Sequence, residues 1–289
     1  MRITRTLLLV AFLPLVVAPV ALAIRFTDDS YRMPVAFAGQ AYSKQFSGAG
    51  GCGPALPYQY NLIDSALPPG LSLSSSGLIG GTPTRAGSWS FWVNLGDENP
   101  PSASWCRPSN AQRQFTITVL PAPPPSEVDK PFEMTLPPLG GKPPYTWSLA
   151  DGSSLPAGLA LDGATGAIKG EPLVAGSFPL KLVVADTLGW TDTIDVTLPV
   201  AAKLAIAGRT LPAAKARRRF DARLSFSGGI APRTWKVVHG SLPRGIRLNA
   251  KTGELAGTPR HAGTFPFTVR LSDRLGAVSA RTFVLRVGR

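Results

Sequence analysis

One stretch rich in glycine and proline occurs three times in this chain. It reads LPPGLSLSSSGLIGGTPTRAG from Leu67, LPAGLALDGATGAIKGEPLVAG from Leu155 and LPRGIRLNAKTGELAGTPRHAG from Leu242. Its first glycine, at Gly70, Gly158 and Gly245, recurs at intervals of 88 and 87 residues. Because a fixed internal period is the signature of a repeat architecture, the spacing predicts three copies of one domain.

The repeated stretch itself predicts a β-hairpin. In the third copy Pro243 ends a strand, because proline cannot donate to a sheet, and Gly245 supplies a backbone conformation that other residues resist. Ile246 and Leu248 alternate towards the interior, and the NAKTG turn leaves Gly253 free to take a positive φ. Every residue then has an architectural role, so we predict scaffold here and no catalytic loop.

Apolar residues elsewhere alternate with polar ones, which is typical of half-buried strands. No segment after the N-terminal region keeps a helical period, and 29 prolines and 30 glycines interrupt the pattern. The chain is therefore predicted to be all-β, in three tandem units. The clearest alternating runs are Phe265, Phe267, Val269 and Leu271, and Phe220, Ala222, Leu224 and Phe226.

The N-terminal segment 1–23 has the features of a secretory signal. Arg2 and Arg5 precede an apolar run that ends at Ala23, and the alternative is an uncleaved N-terminal anchor. No later segment is apolar for long enough to predict a membrane span. The predicted domains are 24–122, with an insertion at 97–110, then 123–200 and 201–289, divided at the proline-rich run 121–125 and near 199–203.

The chain has two cysteines, Cys52 and Cys106. In an oxidising compartment two cysteines without further metal ligands favour a disulfide. We predict that this disulfide staples the first domain.

The three repeats share the pattern LPxGLxLxxxTGxIxGTPxxAGxFxFTVxxxD. This pattern resembles the putative Ig domain of bacterial surface and secreted proteins, which is related to dystroglycan-type, cadherin-like domains. The second copy departs from it at Glu171, where threonine is usual. The resemblance implies three Greek-key β-sandwiches used as stalks, spacers or adhesive modules, and in some cadherin-like relatives calcium sites between domains.

The residues offer little for catalysis. The two histidines, His239 and His261, both lie in the third repeat, and we interpret each as a solvated loop residue. The 17 acidic residues form no pair at a telling spacing. We predict that the chain is not an enzyme, and a secreted enzyme or an enzyme's accessory chain is the alternative.

Calcium is the one cofactor that the sequence leaves open. Asp97, Asp186 and Asp273 recur at the end of the same strand, and Glu98 and Asn99 complete the one dense acidic cluster. A single aspartate before a turn more often accepts hydrogen bonds from its own backbone. A calcium-dependent adhesion module therefore stays an alternative.

Positive charge is concentrated in the third repeat. From Ala201 onwards there are 18 lysines and arginines and 3 acidic residues. Alternation places Arg217, Arg219 and Arg223 outward on one strand, and Lys236, Arg270 and Arg286 outward on three others that lie side by side if the family topology holds. The functional interpretation is a basic sheet face for an anionic polymer such as acidic polysaccharide, lipopolysaccharide phosphate, teichoic acid or extracellular DNA. The alternative is a solvated basic surface, and no interleaved aromatic residues indicate specific nucleic-acid binding.

The first repeat offers a different surface. Trp89, Phe91 and Val93 point inward, which leaves Trp92 outward. The same parity places Gln59, Asn61, Asn94 and Thr116 around Trp92, with Trp105 nearby on the insertion. An exposed indole among amides can stack on a sugar, and the alternative is that the insertion or the second domain covers Trp92.

Together these patterns predict an exported, non-enzymatic interaction, adhesion and spacer protein of the cell surface or periplasm. The expected partner is a protein or polysaccharide at that surface. The alternatives are a glycan or anionic-polymer binder and a calcium-dependent adhesion module.

Overall fold

The computed structural model describes residues 23–28, 32–51, 58–97, 109–208 and 210–289. In these ranges every regular element is a β-strand. Residues up to Leu120 form one compact unit, and Pro121–Arg289 form a second. The segment 1–22, Cys52, Glu98, Asn99, Trp105 and Cys106 lie outside the described residues, so the predicted signal, disulfide and insertion stay predictions.

Module 1 is the first repeat, and its described strands form two principal sheets. One sheet has the order β2-β9-β8-β5 and the other β3-β7-β6, while β1 pairs with β4. The strands are β1 (Arg25–Phe26), β2 (Ala36–Phe37), β3 (Tyr42–Gln45), β4 (Gly48–Ala49), β5 (Tyr58–Ile63), β6 (Leu71–Leu73), β7 (Leu78–Gly81), β8 (Gly87–Asp97) and β9 (Asn110–Leu120).

Module 2 repeats this arrangement. Its sheets have the orders β10-β16-β15-β12 and β11-β14-β13. The strands are β10 (Ser126–Glu127), β11 (Phe132–Thr135), β12 (Tyr145–Leu149), β13 (Leu159–Leu161), β14 (Ala167–Gly170), β15 (Gly176–Asp186) and β16 (Thr191–Ala201).

Module 3 has the same two sheets, with the orders β18-β25-β24-β21 and β19-β23-β22, and a further pair β17-β20. The strands are β17 (Ala205–Ala207), β18 (Ala214–Lys215), β19 (Phe220–Arg223), β20 (Ser225–Ser227), β21 (Thr234–Gly240), β22 (Ile246–Leu248), β23 (Glu254–Gly257), β24 (Gly263–Ser272) and β25 (Val278–Gly288). The predicted all-β fold of three similar sandwiches is confirmed, while the exact boundaries 24–122, 123–200 and 201–289 stay predictions.

The first strand of each four-stranded sheet runs parallel to the last strand of its module. The pairs are β2 with β9, β10 with β16 and β18 with β25, and each joins two residues to two. All the other strand pairs described are antiparallel. The chain therefore enters and leaves each four-stranded sheet in the same direction.

The core of each sandwich is built by the alternation seen in the sequence. In module 3, Phe267, Val269 and Leu271 of β24 are at most 1% exposed, and Leu255 of the facing sheet is fully buried with them. Phe265 is half-buried at the edge of this core. Both sheets thus contribute to one apolar interior, which supplies most of the favourable free energy of folding.

The repeated stretch forms the predicted hairpin. In the third copy β22 and β23 pair antiparallel through Leu248 and Leu255. Gly245 has a φ of +98° and Gly253 a φ of +73°. The backbone crosses itself closely here, because a Cβ on Gly245 would overlap the carbonyl oxygen of Thr258. The other two repeats make the same close approach at Gly70 and Gly158.

An aromatic ring covers the hairpin turn in every module. In module 3 the indole of Trp235, which is 2% exposed, lies against Gly253. Trp147 lies against Gly166 in module 2, and Tyr60 against Gly77 in module 1. This contact ties the edge strand of one sheet to the turn of the other.

The run Phe220–Phe226 is not the single strand that its alternation predicted. It divides into β19 and β20, which pair with different partners, β23 and β17. Phe226 is 36% exposed and is covered on one side by the guanidinium of Arg233, 4.8 Å from the ring centre. Alternation continues through the break, so it does not reveal that the chain changes sheets there.

Candidate functional site

Two exposed sheet faces and one joint between modules contain the polar groups of interest. The first surface is the outer face of the sheet β2-β9-β8-β5 in module 1. Strand pairing places Asn61, Asn94 and Gln112 in one cross-strand row and Ile63, Trp92 and Gln114 in the next. We call the outward side chains the amide face: Gln59, Asn61, Trp92, Asn94, Gln112 and Gln114.

Trp92 lies in the middle of the amide face and is 45% exposed. Its backbone is fixed, because its N–H donates to the hydroxyl of Ser65 over 3.0 Å. The amide nitrogen of Asn94 donates to Oδ1 of Asn61 over 3.2 Å. Oδ1 of Asn94 has no hydrogen-bond partner among the described residues. The exposed indole can stack on a sugar ring, and the surrounding amide groups can form hydrogen bonds with the substituents of that ring.

Sequence reasoning missed two members of the amide face, Gln112 and Gln114, both of which are exposed. The alternation of buried and exposed residues along β9 could have revealed them. Phe115 and Ile117 are buried, so the even-numbered residues of this strand face outward. The predicted neighbour Thr116 is one row further away, where its hydroxyl bonds that of Ser90 at 2.9 Å.

The second surface is the outer face of the sheet β18-β25-β24-β21 in module 3. We call Lys236, Arg270 and Arg286 the basic face. Their strands β21, β24 and β25 are neighbours, as predicted, and Lys236 lies directly opposite Arg270. Arg286 lies opposite Thr264, and six residues of strand place it about 20 Å along the sheet from Arg270.

The basic face lacks acidic neighbours in the part of the chain that the structure describes. None of its three cations forms an ion pair there. In module 2 the equivalent sheet carries a salt bridge, Lys181 to Asp195 at 3.4 Å. The corresponding pair in module 3 is Thr268 and Thr282, whose hydroxyls bond at 2.8 Å. Like charges directly opposite on a sheet destabilise it, so an anion would find an uncompensated site.

The other three predicted arginines do not extend this face. Arg217 lies in a turn with a φ of +60°, and its N–H donates to Pro259. Arg219 precedes β19, and only Arg223 lies on that strand, in the sheet β19-β23-β22. The prediction that all three point outward from one strand is therefore wrong. The strand begins later than alternation indicated because a tight turn occupies 215–218.

The recurrent aspartates cap the turns at the ends of their strands. Oδ1 of Asp273 accepts hydrogen bonds from the N–H groups of Leu275 and Ala277, and Oδ2 accepts one from Ile230. Asp186 is used in the same way, and the backbone N–H of Lys142, followed by those of the turn, lowers the pKa of Asp186. Asp97 accepts hydrogen bonds from Ser109.

These caps occupy carboxylate oxygens that calcium would need. Across the described ranges, no three His, Cys, Asp or Glu side chains are grouped so that they could hold a metal ion. Glu98 and Asn99 fall outside these ranges, and calcium binding stays a prediction.

A carboxyl that sequence reasoning missed lies where module 2 meets module 3. Glu127 of β10 is fully buried, and its Oε1 accepts a hydrogen bond from the N–H of Leu204 over 2.7 Å. Burial, and next the side chain of Asp273, raise the pKa of Glu127 above its ordinary value. The equivalent positions in β2 and β18 hold Phe37 and Lys215. The sequence signal for Glu127 was therefore an acidic residue at a position where the other two repeats have none.

The two histidines are exposed. His261 lies in a loop, as predicted. His239 does not, because it lies on β21 at an irregularity that follows Val237 and pairs with Thr268. In the described part of the chain neither histidine takes part in a metal-ligating group.

The model of the family described as "Putative Ig domain" matches residues 26–120, 114–201 and 210–288. The chain belongs to this putative Ig domain family. Its three matched regions agree with the three repeats in the sequence and with the three sandwiches of the fold. No curated protein matches the chain.

Several solved structures are similar to this family member at low identity. A putative alpha-galactosidase from Bacteroides fragilis is 28% identical over 30% of this chain and 18% of its own, with a TM-score of 0.27. The protocadherin GammaB4 extracellular domain is 13% identical over 92% of this chain and 49% of its own, with a TM-score of 0.32. Mouse cadherin-23 EC22-24 is 13% identical over 92% of this chain and 98% of its own, with a TM-score of 0.31.

The chain therefore spans half or less of the first two of these proteins, and the TM-scores are too low to transfer a binding property. Within the described residues, no helix has the length and apolar character needed to cross a membrane.

Proposed function

We propose that this protein is an exported, non-enzymatic interaction, adhesion and spacer protein of the cell surface or periplasm. Its three Ig-like modules present outer sheet faces to partners. Membership of the putative Ig domain family supports this function, as does the signal-like segment 1–23 of the sequence. The faces of modules 1 and 3 differ in chemistry, so we assign them different partners.

The basic face is the proposed contact surface for an anionic polymer. The observation that carries this assignment is the direct opposition of Lys236 and Arg270 on a face without an ion pair in the described part of the chain. Their Cβ atoms lie about 5 Å apart, the distance at which like charges repel across strands. A row of sulfate, phosphate or carboxylate groups would remove this repulsion.

Reversing the charges of the basic face is expected to weaken binding to heparin. We expect K236E/R270E/R286E, made in the chain from Ile24 onwards, to bind roughly 10- to 100-fold more weakly at an ionic strength of about 0.15 M. Each exposed contact of unit charges is worth about 1 kcal/mol, and 1.4 kcal/mol is a factor of 10. Retention on a heparin column in a salt gradient, with titration of soluble heparin, measures the effect.

The matched control is R217E/R219E/R223E, which changes the net charge equally at residues of β19 and the turn before it. We expect a smaller loss of affinity for this variant. Equal losses in the two variants would show that only total charge matters and would contradict a binding face.

A second candidate function, binding of a neutral glycan, is favoured by Trp92. Its indole is 45% exposed at the centre of the amide face, although large aromatic side chains gain by burial. We expect Trp92→Ala to abolish glycan-array signals of the wild-type chain and Trp92→Phe to retain part of them, because phenylalanine keeps a stacking ring. Unchanged signals in Trp92→Ala, with unchanged circular dichroism, would exclude this face as the glycan site.

A further inference from the structure

A cleft lies in module 1 beside β5, the end strand of the sheet β2-β9-β8-β5. Its volume is about 430 Å³, which is within the range of pockets that hold small ligands. Three successive residues of β5 form one wall, and the link between β3 and β4 and the hairpin turn form the others. The lining residues include Gln45, Phe46, Tyr58, Tyr60, Ser75 and Ser76.

The cleft is polar but uncharged. Among the lining residues that the structure describes there is no lysine, arginine, aspartate or glutamate. Asp28 approaches one wall, where its Oδ2 accepts a hydrogen bond from the N–H of Ser47 over 3.0 Å, but Lys44 balances its charge at 3.0 Å. Amides, hydroxyls and aromatic rings without a charge suit a neutral ligand that is rich in hydroxyl groups.

The equivalent position of module 3 holds a side chain that module 1 lacks. The N–H groups of Phe46 and Leu224 make the same hydrogen bond to the hairpin turn, so the residues two positions later, Gly48 and Phe226, are equivalent. The ring of Phe226 packs against Trp235, with 6.1 Å between the ring centres. Module 1 has no side chain at this position, and Gly48 lines the cleft instead.

Two arginines of module 3 correspond to uncharged residues of the cleft. Arg223 and Gln45 end the strands β19 and β3, and each donates to a carbonyl group of the hairpin turn. Arg233 and Tyr58 both lie two residues before the aromatic ring that covers this turn. The backbone is thus shared while the side chains differ, which is how a specific site is built on a common scaffold.

Tyr58 supplies a fixed wall of the cleft. Its side chain is half-buried, and its hydroxyl donates to the carbonyl group of Gly50 over 3.0 Å. A Cβ on Gly48 would lie 3.3 Å from Cδ2 of Tyr58, so the ring packs directly on the backbone of β4. A sugar gains from such a ring, because its apolar face packs on the ring and little side-chain freedom is lost on binding.

The cleft is continuous with the amide face. Gln59 belongs to that face and also lines the cleft. Along β5, Gln59 lies four residues from Ile63, which is opposite Trp92. This separation is about 13 Å, which is longer than one sugar ring but within the reach of a short oligosaccharide.

We infer that the cleft and the amide face form one elongated site for a neutral glycan. One sugar of the glycan occupies the cleft against Tyr58, and another sugar of the same glycan stacks on Trp92. The inference rests on the proposed glycan binding by the amide face. It adds a second point of contact and requires a glycan long enough to span both.

Tyr58→Ala tests the second point of contact. In the chain from Ile24 onwards, we expect Tyr58→Ala to bind the neutral oligosaccharides of a glycan array about 10-fold or more weakly. Tyr58→Phe keeps the ring and should retain most of the affinity. Array signals, followed by calorimetric titration of the oligosaccharide with the strongest signal, measure the effect, and circular dichroism checks the fold.

Tyr145→Ala is the matched control. Tyr145 is half-buried and precedes Trp147 in module 2 as Tyr58 precedes Tyr60 in module 1. We expect Tyr145→Ala to bind like the wild type. Equal losses in the two alanine variants would overturn the inference, because the effect would then not come from the cleft.

The outcomes separate this inference from the proposed function. Loss of the array signals in Trp92→Ala but not in Tyr58→Ala would leave glycan binding by the amide face intact and would overturn the cleft as part of the site. An array that is blank for the wild-type chain would contradict both.

Nuclear magnetic resonance tests the cleft without any substitution. The probes are the methyl glycosides of glucose, galactose, mannose and N-acetylglucosamine, each of which is a single sugar. We expect at least one of them to shift the backbone amide signals of Ser75 and Ser76. The signals of Ala164 and Thr165, in the equivalent turn of module 2, should not move.

No shift at Ser75 and Ser76 with any of these sugars would overturn the inference. N-acetylphenylalanine amide is the contrasting probe, because it resembles the side chain that module 3 has at Phe226. Shifts with this probe and none with the sugars would assign the cleft to an aromatic side chain of a peptide instead of a glycan.

Discussion

Gly245→Ala is expected to lower the free energy of unfolding by about 3 kcal/mol or more. A φ of +98° is unfavourable for any residue with a Cβ. The new Cβ would also overlap the carbonyl oxygen of Thr258, whose own N–H donates to Gly245 over 3.0 Å. Backbone is on both sides of the contact, so no side chain can move to relieve it. Urea unfolding of the chain from Ile24 onwards, followed by circular dichroism, measures the loss.

Gly276→Ala is the control for this substitution. Gly276 has a φ of +75°, and a Cβ there would meet nothing within 4 Å. We expect Gly276→Ala to lower the free energy of unfolding by only about 1 kcal/mol, from the backbone conformation alone. Similar losses in the two variants would show that the crossing of the backbone at Gly245 is not what requires glycine.

Trp235→Ala is expected to lower the free energy of unfolding by about 3 to 5 kcal/mol. Its indole is 2% exposed and lies against Gly253. It also packs edge-on against the ring of Phe226, with 6.1 Å between the ring centres. Removing it leaves a cavity between the edge strand β21 and the hairpin turn. Calorimetry of the chain from Ile24 onwards measures the loss.

Trp92→Ala provides the comparison, since the same atoms are removed from a residue that is 45% exposed. We expect a loss below about 1 kcal/mol there. Comparable losses at the two positions would contradict the burial that distinguishes them. The same variant then reports on glycan binding without a change in fold.

Much of the fold could be predicted because its signals are local. Gly253 was expected to take a positive φ from the NAKTG turn alone, and it does. The alternation of apolar and polar residues predicted which side chains of β24 point inward, and Phe267 and Val269 are buried as expected. The positions of β21, β24 and β25 as neighbours came from the family resemblance, since pairing between distant strands leaves little trace in a single sequence.

The failures involve contacts that no local pattern records. Arg217 and Arg219 fit the parity of β19, but the chain is still turning at 215–218. Phe226 continues the alternation that begins at Phe220, although Phe226 lies on β20, which pairs with β17 and not with the partner of β19. A polar residue such as Glu127 is normally expected at a surface, and it is buried here because module 3 packs over the strand that carries it.

The candidate surfaces were only partly predictable for the same reason. Parity could place Trp92 and Asn94 outward, but cross-strand register was needed to bring Gln112 and Gln114 beside them. Likewise, the sequence indicated an excess of positive charge but not that Lys236 would lie opposite Arg270.

The parallel pairing of first and last strands has a mechanical consequence. In each module the first strand of the four-stranded sheet, β2, β10 or β18, runs in the same direction as the adjacent last strand, β9, β16 or β25. Tension that reaches these two strands pulls them past each other along their length. Their hydrogen bonds then bear the load together instead of opening one after another, so a tether built of such modules resists stretching at each repeat.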